Sequence, residues 1–147
     1  MEIERKYLVK TLPENLGSYP CRFLEQGYLS TEPVVRVRQD NDKYELTYKS
    51  KGLMVREEYN LPLTKESYEH LREKADGRII TKKRYMIPYE QYTIELDVFE
   101  GELAPLILAE VEFPSEDEAL KFEAPEWFGE DVTFSTKYHN SNLSKNS

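Results

Sequence analysis

Short segments in which charged and apolar residues alternate recur along the chain, separated by Gly, Pro, Asn and Asp. Alternation with a period of two is typical of β-strands, because successive side chains of a strand point to opposite faces. The pattern predicts eight strands, at 2–9, 22–31, 33–40, 43–50, 54–61, 78–87, 91–99 and 106–113. Turn residues at 40–42 and 88–90 predict hairpins between consecutive strands.

Two segments have the period of a helix instead. Thr64 can cap a first helix that ends at Gly77, and its apolar residues recur at helical spacing: Tyr68, Leu71 and Ala75. A capping-box pattern at 115–118 opens a second helix, with acidic residues at the positive end of the helix dipole. Its expected apolar side consists of Ala119, Leu120 and Phe122.

The length and composition predict one folded domain. A chain of 147 residues with 12% aromatic residues can bury a sizeable core, and we expect one domain at 1–143. The polar residues 144–147 are expected to form a disordered tail, while a short helix can begin the segment after Val132. Because Cys21 is the single cysteine of the sequence, an intramolecular disulfide is excluded. No signal peptide or membrane-spanning apolar run is visible. A cytoplasmic location is therefore predicted.

The charges are unevenly distributed. A net charge of −8 argues against a nucleic-acid-binding surface, which normally needs a basic face. The basic residues are concentrated before residue 85, and the later ones are only Lys121, Lys137 and Lys145. The fold must therefore bring an early basic set and a late acidic set together, or leave both in solvent.

The period of two also places charged residues on one face of almost every strand, and the two signs are largely segregated by strand. The same-face groups are Glu2, Glu4 and Lys6; Arg36 and Arg38; Lys49 and Lys51; Arg56, Glu58 and Asn60; Lys82 and Arg84; Glu95 and Asp97; and Glu110 and Glu112. A solvated sheet face explains any single strand of this kind, but random solvated faces mix the two signs. Eight strands can instead close into a barrel, and the charged face is then the lumen.

A charged lumen needs a compensating ligand, because unpaired buried ions are strongly destabilising. Arginine and lysine bind phosphate oxygens, and clustered carboxylates bind hard cations such as Mg²⁺ or Mn²⁺. Metal-bound polyphosphate satisfies both sets. In this interpretation Glu2 and Glu4 hold metal, while Lys6 on the same face contacts phosphate.

The N-terminal Glu2–Lys6 segment also resembles the ExExK signature of the CYTH superfamily, the triphosphate tunnel metalloenzymes. Such a short charge pattern is weak alone, but the resemblance continues in order over essentially the whole chain. The further matching segments are Gln26–Leu29, Arg36–Arg38, Lys49, Arg56–Glu58, Lys82–Tyr85, Glu95–Asp97, Glu110–Glu112 and Lys137–Leu143.

The resemblance implies a mainly β, α+β fold: an eight-stranded antiparallel closed β-barrel with peripheral helices. It implies hydrolysis of a triphosphate with Mg²⁺ or Mn²⁺ as cofactor. The implied metal ligands are Glu2, Glu4, Asp97, Glu110 and Glu112. The implied phosphate-binding residues are Lys6, Arg36, Arg38, Lys49, Arg56, Lys82 and Arg84. The set expected to act directly in catalysis is Glu2, Glu4, Lys6, Arg38, Lys49, Glu110 and Glu112.

One position departs from the resemblance. Where many members have R-x-E-x-E, this chain has Asn60 as the last residue, and an amide there makes a base or metal role doubtful. Inorganic tripolyphosphate is the expected substrate, because little beyond the tunnel could recognise a nucleoside. A class IV-type adenylate cyclase, a thiamine triphosphatase and a non-catalytic polyphosphate-binding module stay open as alternatives. The expected partner is a small-molecule triphosphate, with neither nucleic acid nor membrane, and the sequence leaves a homodimer open.

The remaining candidates are interpreted as structural. His70 and His139 have no partners at ligand spacing and are expected to be surface or packing residues. Cys21 has no nearby histidine, which argues against a nucleophile. Trp127, Phe128 and Phe134 are expected to pack the tail, and Tyr28 is expected either in the core or at a tunnel mouth.

Overall fold

A computed structural model describes residues 1–145, which form ten β-strands and three α-helices. The strands are β1 (Glu2–Val9), β2 (Cys21–Thr31), β3 (Val34–Asp40), β4 (Lys43–Lys49), β5 (Val55–Arg56), β6 (Glu58–Pro62), β7 (Asp76–Tyr89), β8 (Tyr92–Phe99), β9 (Ile107–Glu112) and β10 (Phe128–Asp131). The helices are α1 (Lys65–Arg72), α2 (Glu116–Lys121) and α3 (Asn140–Leu143). In this part of the chain no helix has the length and apolarity that a membrane crossing requires.

The strands form one antiparallel sheet that curls into a nearly closed barrel. Its strand order is β10-β1-β9-β8-β7-β2-β3-β4-β6, and β5 pairs with β1. The strands β5 and β6 are separated only by Glu57, so this segment joins the two sides of the sheet. The backbone closure consists of the pairs Glu2↔Arg56 and Ile3↔Val55 and of a hydrogen bond from the Glu4 amide to the Met54 carbonyl.

The predicted antiparallel barrel with peripheral helices is confirmed, with two differences in the strands. The predicted segment 54–61 is divided at Glu57 into β5 and β6. The strand β10 was not predicted, because its four residues show no alternation and pair with β1 only across an irregularity, at Tyr7↔Asp131 and Val9↔Phe128.

The predicted starts of both helices are confirmed. The predicted end of the first helix and one residue of the predicted apolar side of the second are wrong. The Thr64 hydroxyl accepts a hydrogen bond from the Ser67 amide, but α1 ends at Arg72 rather than near Gly77. The Ser115 hydroxyl accepts from the Glu118 amide at the start of α2. The Glu118 carboxylate accepts from the Tyr92 hydroxyl at 2.7 Å, so Glu118 makes no return bond to the cap.

Along α2, Ala119 is buried and Phe122, just after the helix, packs on the core, but Leu120 is 70% exposed. Trp127 and Phe128 also pack on the core as expected. The packing prediction is wrong for Phe134, whose side chain faces solvent.

The apolar residues occupy two places. One cluster covers the outer wall of the barrel, where Ile94, Leu96 and Val111 alternate with the acids of β8 and β9. The second cluster is built from residues with the same parity as the charged groups, among them Ile80 and Leu108. The C-terminal segment packs against it through Tyr138 and Leu143. The inward face is therefore charged along part of the barrel and apolar at one end.

The C-terminal segment continues to contact the barrel beyond residue 143. The Ser144 carbonyl accepts from the Arg78 amide at 2.6 Å, and the Lys145 carbonyl accepts from the Arg78 guanidinium at 2.9 Å. These two residues of the predicted tail thus contact β7, while residues 146 and 147 lie outside the described residues. The division into a domain at 1–143 and a tail stays a prediction.

We expect Gly77→Ala to destabilise the fold, because Gly77 has φ +69° and a Cβ there would overlap the Ser144 carbonyl oxygen. The expected loss in the free energy of unfolding is about 1–3 kcal/mol. Chemical denaturation measures it, with Gly17→Ala as control, because a Cβ at Gly17 meets nothing within 4 Å. Equal stability of the two variants would contradict the close contact between β7 and the C-terminal segment.

Candidate active site

A cavity of about 370 Å³ lies inside the barrel, and ten of the twelve predicted site residues line it. These are Glu2, Glu4, Lys6, Arg36, Arg38, Lys49, Arg56, Arg84, Glu110 and Glu112. The other two, Lys82 and Asp97, are fully buried behind the lining. The alternation of charged residues in the sequence thus does correspond to the inside of the barrel.

The strand register brings acids of β1 together with acids of the later strands β8 and β9. Glu4 pairs with Glu112 and Lys6 with Glu110 across β1 and β9, and Glu110 pairs with Glu95 across β9 and β8. Directly paired residues of neighbouring strands project to the same side of a sheet. This wall of the cavity therefore collects carboxylates that are distant in sequence.

Two lysines of the same lumen form ion pairs with three acids. The Lys6 ammonium lies 3.4 Å from a Glu110 carboxylate oxygen, and Lys6 also donates to the Tyr138 carbonyl. The Lys49 ammonium lies 3.0 Å from Glu2 and 3.3 Å from Glu58. These ion pairs offset part of the cost of enclosing the charges.

The carboxylates of this wall differ in their pKa. Burial, followed by the neighbouring carboxylates of Glu110 and Glu2, raises the pKa of Glu4 to about 8. Burial alone would also raise the pKa of Glu110, but Lys6 and Arg84 hold that pKa well below its usual range. Burial and then Glu2 raise the pKa of Glu112. The wall thus contains both a firmly ionised acid and one that is protonated at neutral pH when no cation is bound.

The two residues behind the lining form a buried ion cluster. Asp97 accepts two hydrogen bonds from the Arg84 guanidinium, at 2.7 and 2.9 Å, and lies 2.7 Å from the Lys82 ammonium. Burial lowers the pKa of Lys82 to about 8, against the attraction of Asp97. In this structure Asp97 therefore contacts Lys82 and Arg84, and its carboxylate does not face the cavity.

Two arginines on β3 line the opposite part of the cavity. Within residues 1–145, neither Arg36 nor Arg38 has a carboxylate oxygen within 4.0 Å, in contrast to Lys6, Lys49 and Arg84. Burial, followed by the positive charges of Arg36 and Arg84, lowers the pKa of Arg38 to about 9. This part of the lumen therefore carries uncompensated positive charge.

Several lining residues were not among the predicted site residues, although Glu58 and Glu95 had been placed on the inward charged face. Glu95 and Glu58 share the inward parity of predicted residues, so the alternation contained the signal for both. Arg22 also has this parity, and it lies 3.1 Å from Asp40 at the lining. His139 lines the cavity from the C-terminal segment, which gave no periodic signal, so its interpretation as a surface or packing residue is incomplete.

Burial, followed by the positive charges of Lys6 and Arg56, lowers the pKa of His139 to about 4, so its imidazole is neutral at pH 7. Tyr28, which was left open, is 3% exposed and lines the cavity. The other dismissed candidates, His70 and Cys21, are both exposed on the outside. Lys51 lies beyond the end of β4, so its predicted pairing with Lys49 on one strand face is wrong.

The donor chemistry of the acidic wall fits a hard divalent cation. Carboxylate oxygens are the preferred ligands of such ions, and a cation would offset the repulsion that raises the pKa of Glu4. Lys6 and Lys49 hold Glu110 and Glu2 in this structure. Accordingly, no three His, Cys, Asp or Glu side chains of the described residues converge as a ready metal site.

Comparison with known proteins agrees with this architecture. The chain is 45% identical over 148 residues to an inorganic triphosphatase of Nitrosomonas europaea, covering 97% of this chain and 95% of the relative. It is 40% identical over 157 residues to an inorganic triphosphatase of Acetivibrio thermocellus, covering 99% of this chain and 94% of the relative.

Among solved structures, the crystal structure of an inorganic triphosphatase matches 100% of this chain and 96% of its own, with a TM-score of 0.75 and 40% identity. A conserved hypothetical protein of Pyrococcus furiosus shares the fold alone, with a TM-score of 0.63 and 20% identity over 82% of this chain and 85% of its own. The CYTH domain model matches residues 1–147. The chain therefore belongs to the CYTH domain family.

Proposed function

We propose that this protein is an inorganic triphosphatase, a hydrolase that cleaves tripolyphosphate inside the barrel. The observation that carries the proposal is the lumen itself, where uncompensated arginines face a wall of carboxylates across one cavity. The relatives at 45% and 40% identity, both named inorganic triphosphatase, support the same activity.

The lining favours an inorganic chain over a nucleotide. Among the described lining residues, Tyr28 supplies aromatic surface and Val34 aliphatic surface, while nearly all the rest are charged or polar. Recognition of an organic group normally uses a largely apolar pocket with a few polar groups. The lumen offers charge along its length instead, which suits a molecule made only of phosphate.

Phosphate binding is assigned mainly to the basic residues. Arg36 and Arg38 contact the phosphate chain with forked N–H donors. Lys6 and Lys49 lie within 3.4 Å of their acids, and short shifts of their ammonium groups bring them to phosphate oxygens instead. These residues orient the chain and neutralise the charge that develops during transfer.

We propose that Glu2, Glu4, Glu110 and Glu112 hold the metal, with Mg²⁺ or Mn²⁺ as the ion. The bound cation supplies neutralisation and polarisation of phosphate oxygens. Water then attacks a terminal phosphorus, the bond to the bridging oxygen breaks, and phosphate and pyrophosphate leave with one proton released. Without a cation Glu110 is ionised and Glu4 holds its proton at neutral pH, and a bound cation would favour the ionised form of Glu4 as well.

Asp97 and Lys82 take supporting roles in this proposal. Because Asp97 binds Arg84 through two hydrogen bonds and both partners are buried, Asp97 fixes the direction of the Arg84 guanidinium. Lys82 balances the same carboxylate from the other side. A cytoplasmic location and the absence of nucleic-acid and membrane partners stay predictions from composition.

The experiment that tests the function follows products from tripolyphosphate, ATP and thiamine triphosphate with Mg²⁺, with Mn²⁺ and with excess chelator. Phosphate and pyrophosphate are expected from tripolyphosphate only when metal is present. Release of cyclic AMP from ATP, or faster cleavage of thiamine triphosphate, would replace the proposal with one of the alternative enzymes. Tight binding of tripolyphosphate without turnover would indicate a non-catalytic module.

Glu4→Ala is expected to lower kcat/KM for tripolyphosphate by about two orders of magnitude, the scale for losing one group that stabilises the transition state. The reason is the position of Glu4 between Glu2 and Glu110 on the acidic wall. Glu57→Ala is the matched control, since Glu57 is exposed beside the same lumen. Steady-state kinetics at saturating metal measures both variants, and equal activity would remove Glu4 from the site.

Neighbouring bases on β7 should differ sharply in effect. Arg84 lines the cavity whereas Lys83 is exposed on the outer face. Arg84→Ala is expected to lower kcat/KM by at least about tenfold, and Lys83→Ala to leave it nearly unchanged. The measurement is steady-state kinetics with folding checked by circular dichroism. A folded but inactive Lys83→Ala beside an active Arg84→Ala would show that the strand register is wrong.

A further inference from the structure

The two arginines on β3 are held in an unusual way for buried cations. Lys6, Lys49 and Arg84 each contact a carboxylate of the cavity lining. The partners of Arg36 and Arg38 are uncharged side chains instead. An uncharged acceptor can fix the direction of a guanidinium without cancelling its charge.

Gln26 is the partner of Arg38. The Arg38 Nε donates to the Gln26 Oε1 at 2.9 Å, and Gln26 lies on the neighbouring strand directly opposite. Gln26 is 0% exposed, and its Nε2 has no hydrogen-bond partner in the structure of residues 1–145. A guanidinium nitrogen can only donate, so the amide oxygen must face Arg38 and the amide nitrogen points elsewhere. Gln26 thus leaves a buried donor unsatisfied while it orients Arg38.

A chain of hydrogen bonds performs the corresponding task for Arg36. The Arg36 Nη2 donates to the Thr47 hydroxyl at 3.2 Å, and the Thr47 hydroxyl donates to the Asn60 Oδ1 at 2.6 Å. The Asn60 Nδ2 then donates to a Glu58 carboxylate oxygen at 3.1 Å. The order of donors is fixed at both ends, by a guanidinium that cannot accept and an ionised carboxylate that cannot donate.

Asn60 is suited to this chain because its amide both accepts and donates. A glutamate or aspartate at residue 60 could accept from Thr47 but, when ionised, could not donate to Glu58. It would also place a second negative charge beside the Glu58 carboxylate, which Asn60 contacts at 3.1 Å. The Asn60 amide therefore completes an uncharged chain of hydrogen bonds, and it is not simply an acid that has lost its function.

We infer that Gln26, Thr47 and Asn60 are positioning residues that orient Arg36 and Arg38 through uncharged acceptors and thereby preserve two full positive charges for the phosphate chain. This inference rests on the proposed function, because it assigns those charges to the triphosphate. It predicts that a negative charge introduced at these positions pairs with an arginine and removes it from phosphate binding.

The test is a charge change of minimal size, Gln26→Glu. The new carboxylate keeps an acceptor for Arg38 and adds a negative charge beside it. Burial, followed by the positive charges of Arg36 and Arg84, lowers the pKa of Arg38, so the added charge falls among cations. Without ligand, the melting temperature is expected to stay equal to that of the wild type or to rise. The upward shift that imidotriphosphate, a hydrolysis-resistant analogue, produces at fixed Mg²⁺ is expected to shrink. KM for tripolyphosphate is expected to rise by about tenfold or more.

Gln39→Glu is the matched control. It makes the same chemical change one residue from Arg38, but Gln39 is absent from the cavity lining and donates to the Asn41 carbonyl at an exposed position. Its ligand-induced shift and KM should match those of the wild type. A purely structural role for Gln26 predicts a lower melting temperature without ligand and an unchanged KM, which would overturn the inference.

Asn60→Asp is a second variant for the case in which Gln26→Glu does not fold, since Asn60 is exposed and tolerates substitution more easily. It keeps the acceptor for Thr47, loses the donor to Glu58 and adds charge near Arg36. A smaller ligand-induced shift and a higher KM support the inference, and values equal to those of Gln39→Glu overturn it. If the wild-type protein binds imidotriphosphate but releases no product from tripolyphosphate, the proposed hydrolysis is contradicted. The present inference is then still tested by the shift in melting temperature that imidotriphosphate produces in each variant.

Discussion

Enclosing many ionised side chains in one narrow lumen is the constraint on which the rest of this structure depends. Burial of a single unpaired charge is strongly unfavourable, so the barrel needs each charge to be balanced by a neighbour or a ligand. The pairs Lys6–Glu110 and Lys49–Glu2 provide much of that balance across strands that are distant in sequence. The apolar residues are consequently displaced to the outer wall and to one end of the barrel.

The balance is incomplete at two places, and both suggest what the lumen binds. Glu4 lies among other carboxylates and retains its proton at neutral pH, whereas Arg38 lies among other cations. A divalent cation at the first place and a phosphate chain at the second would complete the balance together. Unlike a polar core held only by internal ion pairs, this lumen would gain stability from a ligand that carries both charges, because binding to the native state alone favours that state.

The period of two and the family resemblance together predicted the barrel, and strand parity separated the lumen from the outer wall. The parity of a residue in a strand predicts the side of the sheet on which its side chain lies. It does not predict the height of that side chain along the barrel axis, which depends on the stagger between strands. For that reason Glu95 lines the cavity while Asp97, on the same face of β8, is buried behind it. His139 and β10 belong to segments without periodicity, and their places depend on tertiary packing of the C-terminal part of the chain. The role of Asn60 needed the hydrogen-bond distances, because the bond that its amide nitrogen donates to Glu58 is what distinguishes it from an acid at this position.

The most direct test of this account is a crystal structure of the protein with imidotriphosphate and Mg²⁺. The account predicts phosphate oxygens within hydrogen-bond distance of the Arg36 and Arg38 guanidinium groups and Mg²⁺ bound by carboxylates of the Glu2–Glu4 and Glu110–Glu112 segments. The outward side chains of Lys83 and Glu57 should make no contact with the ligand. Imidotriphosphate bound on the outer surface, with the lumen retaining only its internal ion pairs, would contradict the account.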